Sequence, residues 1–338
     1  MHFSLFAVSR LWRGLTVDEK TIWTLMDRWI QERVSDIYLI PQGDHYRLLT
    51  LHDACLSKDH LFSPASACQI ITYFKYHADM AVSEHRRPQA GGLRYHNGID
   101  LRISTVGDFR GQETLVIRII YPLDENYQLL FPKQWANLIK MTHKRGLILF
   151  SGPMGSGKTT TMYRLASQFS QKEVVLTIED PVEIYQPNFI QLQVNELAGM
   201  SYQDLLRLGL RHRPGVFIIG EIRDQKTAQI TVQAALSGHL VLATVHAQSA
   251  VGVIMRLRQL GIPADQLQQA ITGVCYQRLA RTCSGKQAVL MDQLSGERLR
   301  ADLAKGQVGG VSDDWQQLVK QAVATRKIPQ EEGARLQA

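Results

Sequence analysis

Gly152-Pro153-Met154-Gly155-Ser156-Gly157-Lys158-Thr159 sets glycines, one lysine and one hydroxyl at the spacing G-x-x-x-x-G-K-[ST]. Glycines let backbone N–H groups converge on a triphosphate, Lys158 reaches the outer phosphates, and the Thr159 hydroxyl is placed to hold the magnesium that neutralises them. With Thr160 added, this segment is the candidate binding site for ATP and Mg2+. Hydrolysis of a phosphoanhydride also needs a carboxylate that orients or deprotonates the attacking water. Glu221 is the natural candidate, as catalytic carboxylate and as a magnesium ligand partly through water; the alternative is a solvated loop glutamate. Glu179, Asp180 and Glu183 form a second acidic cluster, suited either to magnesium and nucleophile or to capping and surface ion pairs. His246 is a candidate for touching a γ-phosphate, whereas His239, at the opposite end of the same apolar run, is expected to be structural.

A strand must deliver such a loop and a helix must receive it. Residues 147–150 are wholly apolar and predict a buried strand; residues 158–169 predict a helix with Met162, Leu165, Ala166 and Phe169 on one face. The helix N-terminus then adds free N–H groups and the positive end of its dipole. From Trp135 onward, helical patterns alternate with the apolar runs 147–150, 174–178, 216–219 and 240–245. That alternation predicts a parallel sheet covered by helices on both faces. Each run ends at a chemistry-bearing residue, and ligands bind outside the carboxyl ends of such strands. Further helices are expected at 201–211, 226–236, 249–260 and 263–281, with a hairpin around Ser295-Gly296 and a helix near 315–324.

The first half has a shorter period. Thr16-Val17-Asp18-Glu19 has the form of a capping box, and Ile22, Leu25, Met26, Trp29 and Ile30 follow at helical spacing, predicting a helix from Val17. Residues 37–40, 46–51, 101–104 and 114–120 predict short strands, with turns at Gly43-Asp44 and Asn97-Gly98 and a helix over 66–80. The expected layout is an unplaced extension over 1–15, a small α+β domain over 16–121, a linker over 122–134, a phosphate-loop domain over 135–283 and an appendage over 284–338.

Composition narrows the setting. The 338 residues suit about two domains. No apolar stretch approaches the roughly 20 residues that cross a bilayer, so a cytoplasmic protein is expected. The net charge of +7 is spread along the chain and admits nucleic acid, an anionic membrane or an acidic protein as partner. Cys55, Cys68, Cys275 and Cys283 contain no C-x-x-C pair, so neither a zinc site nor a disulfide framework is expected, and the thiols are predicted to be reduced and mostly buried.

Several segments in order resemble one family, the secretion traffic ATPases that drive type II secretion and type IV pilus assembly. Besides the phosphate loop, Thr177-Ile-Glu-Asp-Pro-Val-Glu183 resembles the family's Asp box, Gly220-Glu-Ile-Arg-Asp224 its Walker B segment, and Gly238-His-Leu-Val-Leu-Ala-Thr-Val-His246 its His box. Ser35-Asp-Ile-Tyr38 is similar to its Ser-Asp-Ile-His, and Leu101-Arg-Ile-Ser104 and Val116-Ile-Arg-Ile119 to its two arginine-bearing strands. The resemblance implies an α/β fold in which a RecA-like domain with a parallel sheet follows a PAS-like α+β domain. It also implies a homo-hexamer in which Arg102 and Arg118 act as arginine fingers. Residue type alone leaves both open as ordinary surface salt-bridge partners. Arg207 and Arg211 match family positions for which contact with a neighbouring subunit is a hypothesis.

Two departures stand out. Arg213-Pro214-Gly215 occupies the place of the family's Asp-Pro-Asp, and only Cys283 remains where many relatives carry a four-cysteine zinc insert, so no zinc is expected. The short layout most resembles the competence-pilus assembly ATPases of Gram-positive bacteria. It implies a motor for DNA uptake at the inner face of the cell membrane, acting through an inner-membrane platform protein and on pilins indirectly, with no direct nucleic-acid contact. A retraction motor of the same family and a DNA-translocating RecA-like ATPase are the alternatives.

Overall fold

The computed structural model describes residues 18–52, 55–123, 127–195, 198–305 and 313–337. The extension expected over 1–15 lies outside them. The chain divides into two compact units, Met1–Pro122 and Leu123–Ala338.

In the first unit, helix α1 (Glu19–Gln31) precedes strands β1 (Asp36–Gln42), β2 (His45–His52) and β3 (Cys55–Phe62), helix α2 (Pro64–His77), and strands β4 (Gln89–Arg94), β5 (Asp100–Gly107) and β6 (Glu113–Ile120). The sheet order is β3-β2-β1-β6-β5-β4, and every pairing is antiparallel. Asp18 is the N-cap of α1, its carboxylate accepting the Thr21 N–H at 2.9 Å. The helix therefore starts two residues after the expected Val17, which lies with Thr16 outside the described residues. Ile22, Met26 and Trp29 of α1 and Ile71 and Phe74 of α2 bury against Ile37, Leu39, Ile103 and Ile117, the inward residues of a period-2 alternation. Strands β3 and β4 were not expected. The first carries the polar run Ser-Lys-Asp-His, and the second two glycines; a Cβ at Gly91 would stand 2.5 Å from the Ala78 carbonyl, so close approach to the end of α2 forces a poor strand former there.

The second unit contains α3 (Lys133–Thr142), β7 (Gly146–Ser151), α4 (Lys158–Ser167), β8 (Val175–Glu179), β9 (Phe189–Gln193), α5 (Tyr202–Arg211), β10 (Val216–Ile219), α6 (Gln225–Leu236), β11 (Leu240–Thr244), α7 (Ala250–Gln259), α8 (Ala264–Ala270), β12 (Ile271–Arg281), β13 (Gln287–Ser295), α9 (Gly296–Lys305), α10 (Asp313–Ala324) and α11 (Gln330–Gln337). The strand order is β13-β12-β7-β11-β10-β8-β9, parallel except at β12/β13. Alternate residues of the buried strands feed two separate cores. Leu147, Phe217, Ile219 and Val241 pack with the helices α5 to α9, and Ile148, Phe150, Ile218 and Leu242 with α3 and α4. This is the expected sheet sandwiched between helices.

Several expectations change here. The helix over 263–281 ends at Ala270, and residues 271–281 form β12, paired in parallel with β7. An apolar run such as Ile271-Thr-Gly-Val-Cys-Tyr276 suits either structure, and the open edge of β7 settles it. The hairpin turns at residues 282–286, where Gly285 has φ 80° and the Thr282 N–H donates to the Lys286 carbonyl, and Ser295-Gly296 opens α9 instead. Consequently residues 287–295 complete the sheet and are no separate appendage. At the other end, Leu130 N–H and Gln128 C=O bond the backbone of Val289, so part of the expected linker already belongs to this unit. Of the four cysteines only Cys275 is buried; Cys55, Cys68 and Cys283 are exposed.

Candidate active site

The last residue of β7, Ser151, is fully buried, and the chain then turns through Gly152 (φ 143°), Gly155 (φ 71°) and Gly157 (φ 80°) into α4. These φ values are open to glycine and strained for other residues. Gly152 has a second reason to be glycine: a Cβ there would stand 2.1 Å from the carbonyl oxygen of Gln277 on β12. No side chain caps α4, so its first N–H groups remain available to an anion. The Lys158 ammonium donates to the carbonyls of Gly152 and Pro153, at 3.0 and 2.9 Å, which folds it back over the loop. Burial lowers its pKa below the usual lysine value, and Glu183 and Glu221 oppose that shift. Met154 stands out at the loop tip, and Thr160 lies in the first turn of α4.

Acidic groups gather at the ends of the neighbouring strands. Glu221, two residues beyond β10, has a largely buried side chain; one oxygen is bound by the Arg223 guanidinium and the other lies 3.3 Å from His246 Nε2. Arg223 also approaches Asp180, at 3.7 Å. His246 is held in place by its neighbours: Val245 N–H donates to the Phe150 carbonyl, and Ala247 exchanges two hydrogen bonds with the Ser151 hydroxyl. Thr159 Oγ1 donates to Glu183 at 2.9 Å. Glu179 closes β8 at only 3% exposure, accepting the Tyr163 hydroxyl at 2.5 Å, and Gln191 donates to that hydroxyl from β9. Burial pushes the Glu179 carboxyl above its ordinary value, partly offset by the Tyr163 hydrogen bond. Asp224 instead caps α6 through the Thr227 amide and hydroxyl, which together hold its carboxyl low against the opposing effect of burial.

The donor set fits a magnesium–triphosphate. Uncapped N–H groups and the Lys158 ammonium suit phosphate oxygens, Ser156 Oγ is buried with no hydrogen-bond partner among the described residues, and the hard oxygens of Thr159, Glu183, Asp180 and Glu221 suit magnesium. The two arginines singled out in the sequence belong to the first unit. Arg102 and Arg118 are directly paired across β5 and β6, on the face opposite Ile103 and Ile117, and Arg118 bonds Asp36 at 2.8 Å. His239 Nδ1 donates to the Pro214 carbonyl, 2.8 Å away, and the ring sits edge-on to Phe217.

A family model, Type II/IV secretion system protein, matches residues 14–330. The chain belongs to that family. Its fold is shared by the pilus retraction motor PilT with bound ADP, at a TM-score of 0.71 and 21% identity over 93% of this chain and 96% of that one. In sequence it is 45% identical over 249 residues to competence protein ComGA of Streptococcus pneumoniae, covering 72% of this chain and 79% of that protein. It is 38% identical over 275 residues to competence protein ComGA of Bacillus subtilis, covering 77% and 76%. The protein is thus a secretion and pilus traffic ATPase, a P-loop enzyme that hydrolyses ATP.

In this traffic ATPase several site residues escaped the sequence reading. Arg223 lay within a recognised segment, but only the fold shows that it bridges Glu221 and Asp180. Tyr163, one turn into α4, carried no signal in the sequence; its hydroxyl meets Glu179 only in the fold. Tyr202, at the start of α5, brings its hydroxyl to Gly220, where a Cβ would stand 2.8 Å away. Gln277 donates to the Ser156 carbonyl at 2.6 Å from a segment predicted as helix. The Arg-Pro-Gly departure also has a local cause. Gly215 leaves room for Glu173, whose carboxylate would overlap a Cβ, while Arg145 binds both Glu173 and the Gly215 carbonyl.

Proposed function

We propose that the protein works as a homo-hexamer that couples ATP hydrolysis to assembly of a type IV competence pilus for DNA uptake. It acts at the inner face of the cell membrane through an inner-membrane platform protein and moves pilins indirectly. The observation that carries this reading is the juxtaposition of a complete phosphate loop with Glu221, itself held between Arg223 and His246, in a chain that is similar to two competence proteins. Among the described residues no helix is long and apolar enough to cross a membrane, which agrees with attachment through a partner.

The geometry of the loop and acids, with the family resemblance for the arginines, supports the following division of labour. Loop N–H groups and the Lys158 ammonium bind the phosphates, and Thr159, which bonds Glu183, would hold magnesium together with Glu221 and Asp180, partly through water. Bound magnesium supplies neutralisation of phosphate charge. Glu221 accepts a proton at a carboxylate oxygen once Arg223 releases it, and His246 fixes the other oxygen. Glu179 is too buried to meet bulk water and keeps β8 and α4 in register through Tyr163. Arg102 and Arg118 bring cationic charge to the phosphates from a neighbouring subunit, and Arg207 and Arg211, both on α5, serve subunit contact.

The test is a chromosomal Lys158→Ala substitution in the native host, scored by electron microscopy of surface pili and by DNA uptake. Loss of both pili and uptake is expected. Long, persistent pili would identify a retraction motor instead, and ATPase activity stimulated by DNA in a salt-sensitive way would identify a DNA translocase.

A further inference from the structure

We propose that Gln277 is a positioning residue of the phosphate loop, orienting one phosphate-binding N–H from beneath. The proposal rests on the reading of residues 152–159 as a phosphate site and goes beyond it by assigning a residue outside every motif of that reading.

Gln277 is fully buried on β12, immediately after Tyr276, which pairs with Ser151 at the end of β7. Its carboxamide lies 2.6 Å from the Ser156 carbonyl oxygen, and only the NH2 end can face a carbonyl, so Gln277 Nε2 donates. The Ser156–Gly157 peptide is planar and trans, so its C=O and its N–H point in opposite directions. Holding the carbonyl down toward β12 therefore aims the Gly157 N–H up into the loop. Gly157 has φ 80° and is free to rotate this peptide, so the orientation needs an external hold. The same strand shapes the loop's entrance, since the Gln277 carbonyl takes the space a Cβ on Gly152 would need. Two buried atoms beside this contact, Ser156 Oγ and Gln277 Oε1, have no hydrogen-bond partner among the described residues. Buried atoms of this kind call for a partner: the Ser156 hydroxyl can donate to a phosphate oxygen, whereas the Gln277 carbonyl oxygen accepts and needs a donor such as an ordered water.

The following residues of β12 are gripped by the last helix. Arg278 donates to the carbonyls of Leu336 and Arg335, Arg335 donates to the Leu279 carbonyl, and Arg281 N–H is accepted by Glu332. Helix α11 thus fixes the strand from which Gln277 reaches the loop.

The experiment measures equilibrium binding of a fluorescent ADP analogue, with unfolding temperature in the absence of nucleotide, for the full chain and for Gln277→Met, Gln277→Glu and Lys158→Ala. Methionine keeps the volume and removes the donor; affinity is expected to fall about tenfold or more in a variant that still unfolds cooperatively, well above the temperature of the binding assay. Glutamate donates from its protonated carboxyl and cannot donate once ionised, so its affinity is expected to approach that of the natural chain at low pH and to fall as pH rises, relative to the natural chain at each pH. A role confined to packing would not produce that profile. Natural-strength binding by the folded methionine variant, or a pH-independent glutamate variant, would overturn the proposal. Unaltered binding by Lys158→Ala would instead overturn the phosphate-site reading on which it rests.

Discussion

Glu221 sits between the Arg223 guanidinium and the His246 imidazole, and that placement separates its role from that of Glu179, the other acid ending a strand. Replacing Glu221 by Gln keeps shape and hydrogen bonding but removes the proton acceptor, so ATP turnover is expected to fall by about a hundredfold or more while nucleotide binding persists. Steady-state phosphate release beside a binding titration checks this. Glu179→Gln reads out differently, in stability against pH. The folded-state pKa of Glu179 is raised, so between the ordinary glutamate range and that raised value the folded protein holds more protons than the unfolded chain, and stability drains away as pH rises through the window. The Gln variant lacks this loss, so its unfolding temperature is expected to gain on that of the natural chain from low pH upward and then level off. For Arg102→Ala in assembled hexamers, binding should persist while turnover falls on the order of a thousandfold; unchanged turnover removes Arg102 from the finger role. The loop and both acids were legible in the sequence because their chemistry depends on local order: strand, glycine turn, helix. Arg223, Tyr163 and Gln277 were not, because each acquires its partner only when distant segments become neighbours.

Among the elements, the four central strands of the second sheet announced themselves as uninterrupted apolar runs, since a strand buried on both faces admits little else. Edge strands gave weaker signals. β9 follows Tyr185-Gln-Pro-Asn188 and is half exposed. β12 lies inside the sheet, between β13 and β7, yet could pass for a helix because its apolar run lacks alternation. Gly209 in α5 shows how packing overrides propensity. An alanine would favour the helix by about 1 kcal/mol, yet its Cβ would stand 2.9 Å from the ring of the fully buried Phe217. Overpacking of that kind costs typically about 1–3 kcal/mol. Gly209→Ala is therefore expected to lower the denaturant midpoint with an unchanged m-value; a raised midpoint would mean that the ring moves aside freely.

At the scale of the molecule, the chain carries its phosphate loop and acids on one unit and its two paired arginines on another. In the proposed hexamer a neighbouring subunit supplies those arginines, so hydrolysis belongs to the ring. Domain number was legible from length and from the change of hydrophobic period near Trp135. The boundary was less so, because residues 128–130 look like a linker in composition and only their hydrogen bonds to Val289 draw them into the second unit. The most direct test is native mass measurement of the particle with and without ATP, with phosphate release followed in the same sample across a dilution series. The account predicts that turnover per chain rises and falls with the hexameric fraction. A monomer that hydrolyses ATP at the full rate of the ring would contradict it.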